Sequence, residues 1–253
     1  VGCGNVGGRL LKTLLSIGVD CRVYDPYLAS DSGIMTTDFE SVLGCDIVCL
    51  HTPLTVSGLY PTYHLLDAMA LSKLKSGALL INAGRGAVVD NKALLSSLKG
   101  GADFVVALDV WEPEPLIDLE LLQHVSMASP HIAGYSLEGK VNGTSMIFNA
   151  FMAWHGAPQY PSNLRTLEDM EPCSVAIDCV ADAILASFDI AADDNRMRSM
   201  LKGVELGSNV IGEHFDRLRR DYPVRREWAS MLFDTELSHS DRLTLRSLGF
   251  NLG

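Results

Sequence analysis

Positive charge is scarce in this chain. Against 31 Asp and Glu it carries 20 Lys and Arg, a formal net charge of −11 at pH 7. Binding to a nucleic-acid backbone depends on clustered Lys and Arg, so that balance excludes nucleic acid as the main partner. Long apolar runs are also missing. None approaches the ~20 residues of a membrane-spanning helix, and no basic-then-apolar segment opens the chain, so a soluble cytoplasmic protein with no membrane partner is expected. Cysteine is sparse and unpatterned: Cys3, Cys21, Cys45, Cys49, Cys173 and Cys179 form neither a C-x-x-C pair nor a zinc spacing. They read as reduced thiols, and no metal is expected. Internal repeats and low-complexity tracts are absent as well. What remains is a 253-residue chain that is 47% hydrophobic, enough for one to two domains with a buried core.

From residue 1 to about 133, short β-branched runs alternate with segments of helical period. Strands are expected at 21–25, 46–50, 78–82, 104–109 and 125–128, and helices at 6–17, 39–43, 67–74 and 91–98, with Gly18, Gly77 and Gly100 at C-terminal cap positions. Strand followed by helix, repeated, predicts an α/β fold with a doubly wound parallel sheet. A long helix is expected over 137–154, where Val141, Ile147, Phe148, Phe151 and Trp154 recur among polar residues, ended by Pro158 and Pro161. Beyond it the composition changes, with a helical stretch at 175–188, an arginine-rich segment and an apolar close at 243–252. The expected division is a nucleotide-binding domain over 1–135, a linking helix over 136–158 and a smaller α+β domain over 159–253.

The chain opens on Gly2-Cys3-Gly4-Asn5-Val6-Gly7, a G-x-G-x-x-G run leading straight into a helical pattern. Such glycines permit a tight turn, a close approach of pyrophosphate to backbone N–H groups and close helix packing, with the phosphate at the positive helix end. Asp25 follows Gly7 by 18 residues at the end of the expected second strand, near the spacing of the acidic residue that accepts the adenosine ribose hydroxyls. An Asp there repels a 2′-phosphate, so the expected cofactor is NAD. Only Val1 precedes the motif, so the first strand is largely missing.

Three later segments sit at expected strand ends, where doubly wound sheets hold ligands. Arg85 lies in Asn82-Ala83-Gly84-Arg85-Gly86, placed to grip a carboxylate through two parallel hydrogen bonds and to polarise a neighbouring carbonyl. Asp109 to Pro115 contributes Glu112 and Glu114. His131 lies in Pro130-His131-Ile132-Ala133-Gly134. A histidine paired with a carboxylate can take a proton from an alcohol while the adjacent carbon gives up hydride. The remaining histidines, His51 and His64 included, read as structural or surface residues.

With His51-Thr52-Pro53-Leu54 added, these motifs resemble the D-isomer-specific 2-hydroxyacid dehydrogenases over essentially the whole chain. The resemblance implies a Rossmann fold and NAD as cofactor. It assigns Arg85 to the substrate carboxylate, His131 to acid/base catalysis and Glu114, ahead of Glu112, to the histidine. It places Gly2, Gly4, Asn5, Val6, Gly7, Asp25, Thr52, Asp109 and Gly134 at the cofactor, and Tyr135 at the substrate. Three segments, 58–65, 134–140 and the tail with Arg217, Arg219, Arg220, Arg225 and Arg226, are similar to the branch of that family that oxidises a phosphorylated 2-hydroxy acid in pyridoxal phosphate biosynthesis. That branch carries a C-terminal dimerisation domain, so a homodimer through 159–253 is implied. The alternatives are phosphoglycerate-, glyoxylate- or hydroxypyruvate-type enzymes, and an NAD-sensing corepressor. The family's substrate lobe precedes the position of Val1, so the chain reads as a fragment, inactive alone. The arginine-rich tail reads as an ion-paired surface in preference to a phosphate site.

Overall fold

The computed structural model describes residues 1–29, 31–156, 173–175, 177–233 and 237–252. The expected stops at Pro158 and Pro161, the 158/159 boundary and the Cys173 thiol lie outside the described residues and side chains. The chain forms two compact units, Val1–Ala133 with Ile190–Asp221, and Gly134–Asp189 with Tyr222–Gly253.

The first unit is built on a four-stranded parallel sheet in the order β1 (Ile47–Leu50), β2 (Ala78–Asn82), β3 (Phe104–Leu108), β4 (Met127–Ala128). Helices α1 (Asn5–Ser16), α2 (Phe39–Leu43), α3 (Ala68–Leu71), α4 (Asn91–Lys99) and α5 (Leu119–His124) connect and cover it. Four of these start where a carboxylate caps the first turn: Asp38, Asp67, Asp90 and Asp118 each accept backbone N–H groups at their helix's N-terminus. Inward-facing Val48, Leu50, Leu80, Val106 and Leu108 are fully buried with Leu66, Leu94 and Leu121.

Two sequence expectations are corrected here. Segment 21–25 is not a strand. Its backbone meets the flanking segments through Gly2 N–H to the Tyr24 carbonyl (2.9 Å) and Thr37 N–H to the Val23 carbonyl (2.7 Å), too few bonds for a ladder. The backbone beside it, Val1, is tied on its other side to Cys49 and His51 of the β1 edge, and a single residue makes no ladder. Second, α8 (Ile190–Leu201) and α9 (Val210–Arg220) belong to this unit, not to a separate domain beginning at 159. Met197, Leu201, Ile211, Phe215 and Leu218 join the same hydrophobic core. Asp194 accepts the Ala128 N–H (2.8 Å) at the free edge of β4, and Arg198 donates to the Leu122 and Val125 carbonyls at the end of α5. A two-residue edge strand is thereby covered instead of left open.

The second unit holds the long α6 (Leu137–His155), which Gly156 ends in the left-handed conformation, together with α7 (Val180–Ser187) and α10 (His239–Leu248). Its parallel sheet runs β5 (Cys173–Val175), β6 (Met231–Phe233), β7 (Asn251–Leu252). Ile177, Ala183, Phe233, Leu245 and Phe250 form the core, with Trp228 stacked on Phe250 at 4.7 Å. The start of α6 is pinned by buried charge. Glu138 is 1% exposed and accepts from the Arg226 guanidinium and the Glu227 N–H, while Ser136 donates to Glu227. On α6 itself, Met146, Ile147 and Trp154 stay exposed.

Candidate active site

The glycine turn shows why each glycine stands where it does. Gly2 has φ +82°, and a Cβ there would come within 2.9 Å of the His51 carbonyl carbon and the Thr52 side chain. A Cβ on Gly7 would lie 2.0 Å from the Gly2 carbonyl oxygen, so helix α1 packs back on the turn only with glycine at that position. Gly4 faces open space, with nothing within 4 Å. Asn5 and Val6 begin α1, and their N–H groups lie in the first turn, where the helix itself provides no acceptor. A cavity of about 410 Å³ adjoins this turn, lined by Gly2, Gly4, Asp25, Thr52, Tyr27 and Tyr60 among others.

That cavity fits a dinucleotide. An open glycine beside free helix N–H groups suits pyrophosphate. Asp25 stands at its wall with its two oxygens steadied by the Cys3 and Tyr27 N–H groups (2.8 and 3.0 Å), placed for ribose hydroxyls. Both ring nitrogens of His51 and the Thr52 hydroxyl are buried with no partner among the described residues, polar atoms that a ligand in this cavity would satisfy. Burial pushes the His51 imidazole below its usual pKa, keeping it neutral. His51, first read as structural, thus lines the cavity. Its position right after β1, where doubly wound sheets bind ligands, was the available signal.

The second group of residues gathers at the carboxyl ends of β2, β3 and β4, which are neighbours in the sheet. After β2, buried Asn82 shapes the turn, accepting from Gly84 N–H and donating to the Arg85 carbonyl, and the Arg85 side chain is exposed. Gly86 lies against Trp111 so tightly that a Cβ would sit 1.7 Å from the Trp111 carbonyl oxygen, which fixes the β2 turn on the β3 turn. After β4, His131 adopts the left-handed conformation at φ 57°, a strained state for a histidine. Its Nδ1 lies 2.8 Å from Glu114 Oε2, and Glu114 Oε1 accepts the Trp111 N–H at 2.8 Å. Nδ1–H therefore donates to the carboxylate. Nε2 has no partner among the described residues and is the nitrogen available for proton transfer.

Asp109, expected at the cofactor, lies beneath the His131 turn. Its carboxylate, 7% exposed, accepts from the Ser129 hydroxyl (2.6 Å) and from the Ile132 and Ala133 N–H groups (2.8 and 2.9 Å). Those partners make it the brace of the His131 turn.

Glu112, two residues from Glu114, pairs with the other histidine. Both of its oxygens lie 2.9 Å from His64 Nε2, while His64 Nδ1 faces Asp90 at 3.6 Å. Among the described residues, this is the one group of three His, Cys, Asp or Glu whose ligand atoms come within 4.8 Å of one another. Its two carboxylates address opposite nitrogens of one ring, which suits a clasp of the ring better than a shared metal ion. Sequence reading passed over the pair because its members are 48 residues apart.

In the second unit, Tyr135 stands under the Lys140 ammonium at 4.3 Å and edge-on to Tyr222 at 6.0 Å, and Gly134 is exposed. Arg225 stacks on Phe188 at 4.4 Å and Arg226 is held by buried Glu138. In the first unit Arg217, Arg219 and Arg220 pair with Asp216 and Asp221. The arginine-rich stretch is thus ion-paired and stacked.

A parallel sheet with a glycine turn at one strand end and a His–Glu pair with a nearby arginine at the others defines a nucleotide-dependent dehydrogenase, and residues 1–133 match the D-isomer specific 2-hydroxyacid dehydrogenase NAD binding domain. The chain belongs to that family. Residues 170–249 match a domain of unknown function, DUF3410. Among curated relatives, the chain is 47% identical to the erythronate-4-phosphate dehydrogenase of Cellvibrio japonicus (strain Ueda107) over 90% of its length. It is 44% identical to that of Edwardsiella ictaluri (strain 93-146) over 99%. It spans 62% and 67% of those two relatives. A solved D-lactate dehydrogenase from Aquifex aeolicus, complexed with NAD and lactic acid, is 28% identical with a TM-score of 0.51, covering 60% of this chain and 52% of that one. An NADPH-dependent glyoxylate/hydroxypyruvate reductase from Sinorhizobium meliloti, in complex with NADP and malonate, has a TM-score of 0.53 at 28% identity, covering 61% and 48%.

Proposed function

We propose that this chain carries the cofactor site and the acid–base centre of an NAD-dependent dehydrogenase that oxidises the 2-hydroxyl of 4-phospho-D-erythronate, a step of pyridoxal phosphate biosynthesis. The observation that carries the reading is the His131–Glu114 pair, 2.8 Å apart at the strand ends next to the Arg85 turn. The relatives' printed activity supplies the substrate.

NAD, when bound at the glycine turn, supplies the hydride acceptor. Gly2, Gly4, Gly7 and the first turn of α1 hold its phosphates, and Asp25 takes the ribose hydroxyls and disfavours a 2′-phosphate. Arg85 binds the substrate carboxylate and polarises the carbonyl forming at C2. His131 Nε2 takes the hydroxyl proton as hydride leaves C2, and Glu114 stabilises the resulting imidazolium through Nδ1–H. The product is 2-oxo-3-hydroxy-4-phosphobutanoate. Tyr135 as a substrate contact and a cytoplasmic homodimer joined through residues 159–253 belong to the same proposal.

The test is NADH formation by the full-length protein offered 4-phosphoerythronate or 3-phosphoglycerate, with a carbonyl trap to pull the equilibrium. Preference for 4-phosphoerythronate is expected. Preference for 3-phosphoglycerate would discard the substrate, and tight NADH binding without turnover would favour a sensor.

A further inference from the structure

We infer that His64 and Glu112 are positioning residues of the catalytic centre: their clasp sets the turn from which Glu114 reaches His131 and locks it to the turn that carries Arg85. The inference rests on the proposed roles of Arg85, Glu114 and His131.

The argument starts from the backbone between β3 and α5. Residues 109–115 leave the sheet as a turn with a proline after each glutamate, and Glu112 and Glu114 serve different histidines. Glu114 is aimed by the Trp111 N–H. Glu112 is anchored at both ends, its N–H donating to Asn91 Oδ1 (3.0 Å) and its carboxylate lying against His64 Nε2. Three residues of spacing separate Trp111 from Glu114, so a shift of the Glu112 anchor moves the group that orients Glu114.

His64 joins three segments, its own loop, residues 87–90 and the Glu112 turn. Its N–H donates to the Ala87 carbonyl (2.8 Å), and its neighbours continue the zipper, Leu66 N–H to Val88 and Asp90 N–H to Leu66. That fixes residues 85–91, with Arg85 at one end. Its Nδ1 faces Asp90, whose other oxygen caps α4, and its Nε2 reaches Glu112. The same loop supplies Leu59, Tyr60, Thr62 and Leu65 to the cofactor cavity.

A purely stabilising role accounts poorly for these features. His64 holds the left-handed conformation at φ 49°, which Asn or Gly adopts at less cost. The side chains of His64, Asp90 and Glu112 are each about a quarter exposed, so water reaches the clasp and limits what it adds to stability. Strain kept for a weak stabiliser points to alignment, and alignment is what a proton-transfer pair needs.

The experiment uses His64→Asn, which suits the left-handed backbone and removes the ion pair, and Glu112→Gln, which keeps shape and the Asn91 contact while removing charge. Each should lower kcat on the order of tenfold with less than about a twofold change in KM for NAD. The imidazole nitrogen NMR shifts of His131, which report its tautomer and its bond to Glu114, should move in both variants, with the melting temperature little changed. The double variant should be no worse than the poorer single one, because one clasp is lost. Parent-like His131 shifts in both variants would overturn the inference, as would strictly additive rate losses. The NMR readout needs no turnover, so it decides the matter even if 4-phosphoerythronate proves not to be the substrate.

Discussion

Two carboxylates divide the work around His131, the proposed acid/base. Asp109 holds the backbone of its turn and Glu114 holds its ring. Replacing His131 with Ala in the full-length protein should lower kcat by on the order of 10², the usual worth of positioned proton transfer. Turnover at the parental rate would assign the base elsewhere. Asp25 is the residue proposed to set the choice between NADH and NADPH. Asp25→Ala should weaken NADH binding by about 1.5–3 kcal/mol, the typical contribution of hydrogen bonds to a charged group, and narrow the gap to NADPH, as calorimetry with both nucleotides would show. These residues were visible in the sequence because each sits in a short local pattern, the glycine run, the Asn82 to Gly86 turn or the Pro130 to Gly134 segment. The His64–Glu112 pairing was not, since no local pattern links positions 64 and 112.

At the scale of elements, the glycine turn separates two demands that sequence alone merges. Gly4 faces open space at φ −73°, whereas Gly7 packs on the Gly2 carbonyl. Gly4→Ala should therefore fold within about 0.5 kcal/mol of the parent, as surface changes do, yet lose cofactor affinity, because its Cβ enters the space proposed for the phosphates. Gly7→Ala should cost stability outright, by at least the ~1–3 kcal/mol of an overpacked core. Thermal melts with and without NADH distinguish the two. Strands β1 to β3 and helices α1, α2 and α4 were legible because their period and caps are local. Segment 21–25 has a strand's composition, but β structure also needs a partner ladder, and only Val1 and Gly2 run beside it. Helix α5, six residues long, was not expected, although its Asp118 cap was a local signal.

For the molecule as a whole, the surprise is the path of the chain. It leaves the first unit at Ala133 and comes back at Ile190 to lay α8 and α9 on the same core, before Tyr222 to Gly253 complete the second unit. No composition shift marks that return. Phe215, fully buried on α9, ties it in, and Phe215→Ala should cost about 3–5 kcal/mol. In the second unit, burial raises the Glu138 carboxyl pKa, but the Arg226 guanidinium and the Glu227 N–H outweigh it and hold the group below its ordinary value. A depressed folded pKa means that its stabilisation is complete above about 4.5 and is lost as pH falls through the lower folded value. Glu138→Gln should remove that acid-limb dependence and, by leaving Arg226 without its partner charge, destabilise by about 3–5 kcal/mol. Chemical denaturation across the acid range measures both.

The sequence by itself determined the alternation of strand and helix, the glycine turn and the strand-end positions of Arg85, Asp109, Glu114 and His131, because period, caps and short motifs are properties of neighbouring residues. Tertiary structure alone decided that Asp109 braces a turn, that Glu112 and Glu114 serve different histidines, and that residues 190–221 complete the first core. Each of those outcomes depends on which groups compete for one buried space, and that competition is settled only when distant segments meet.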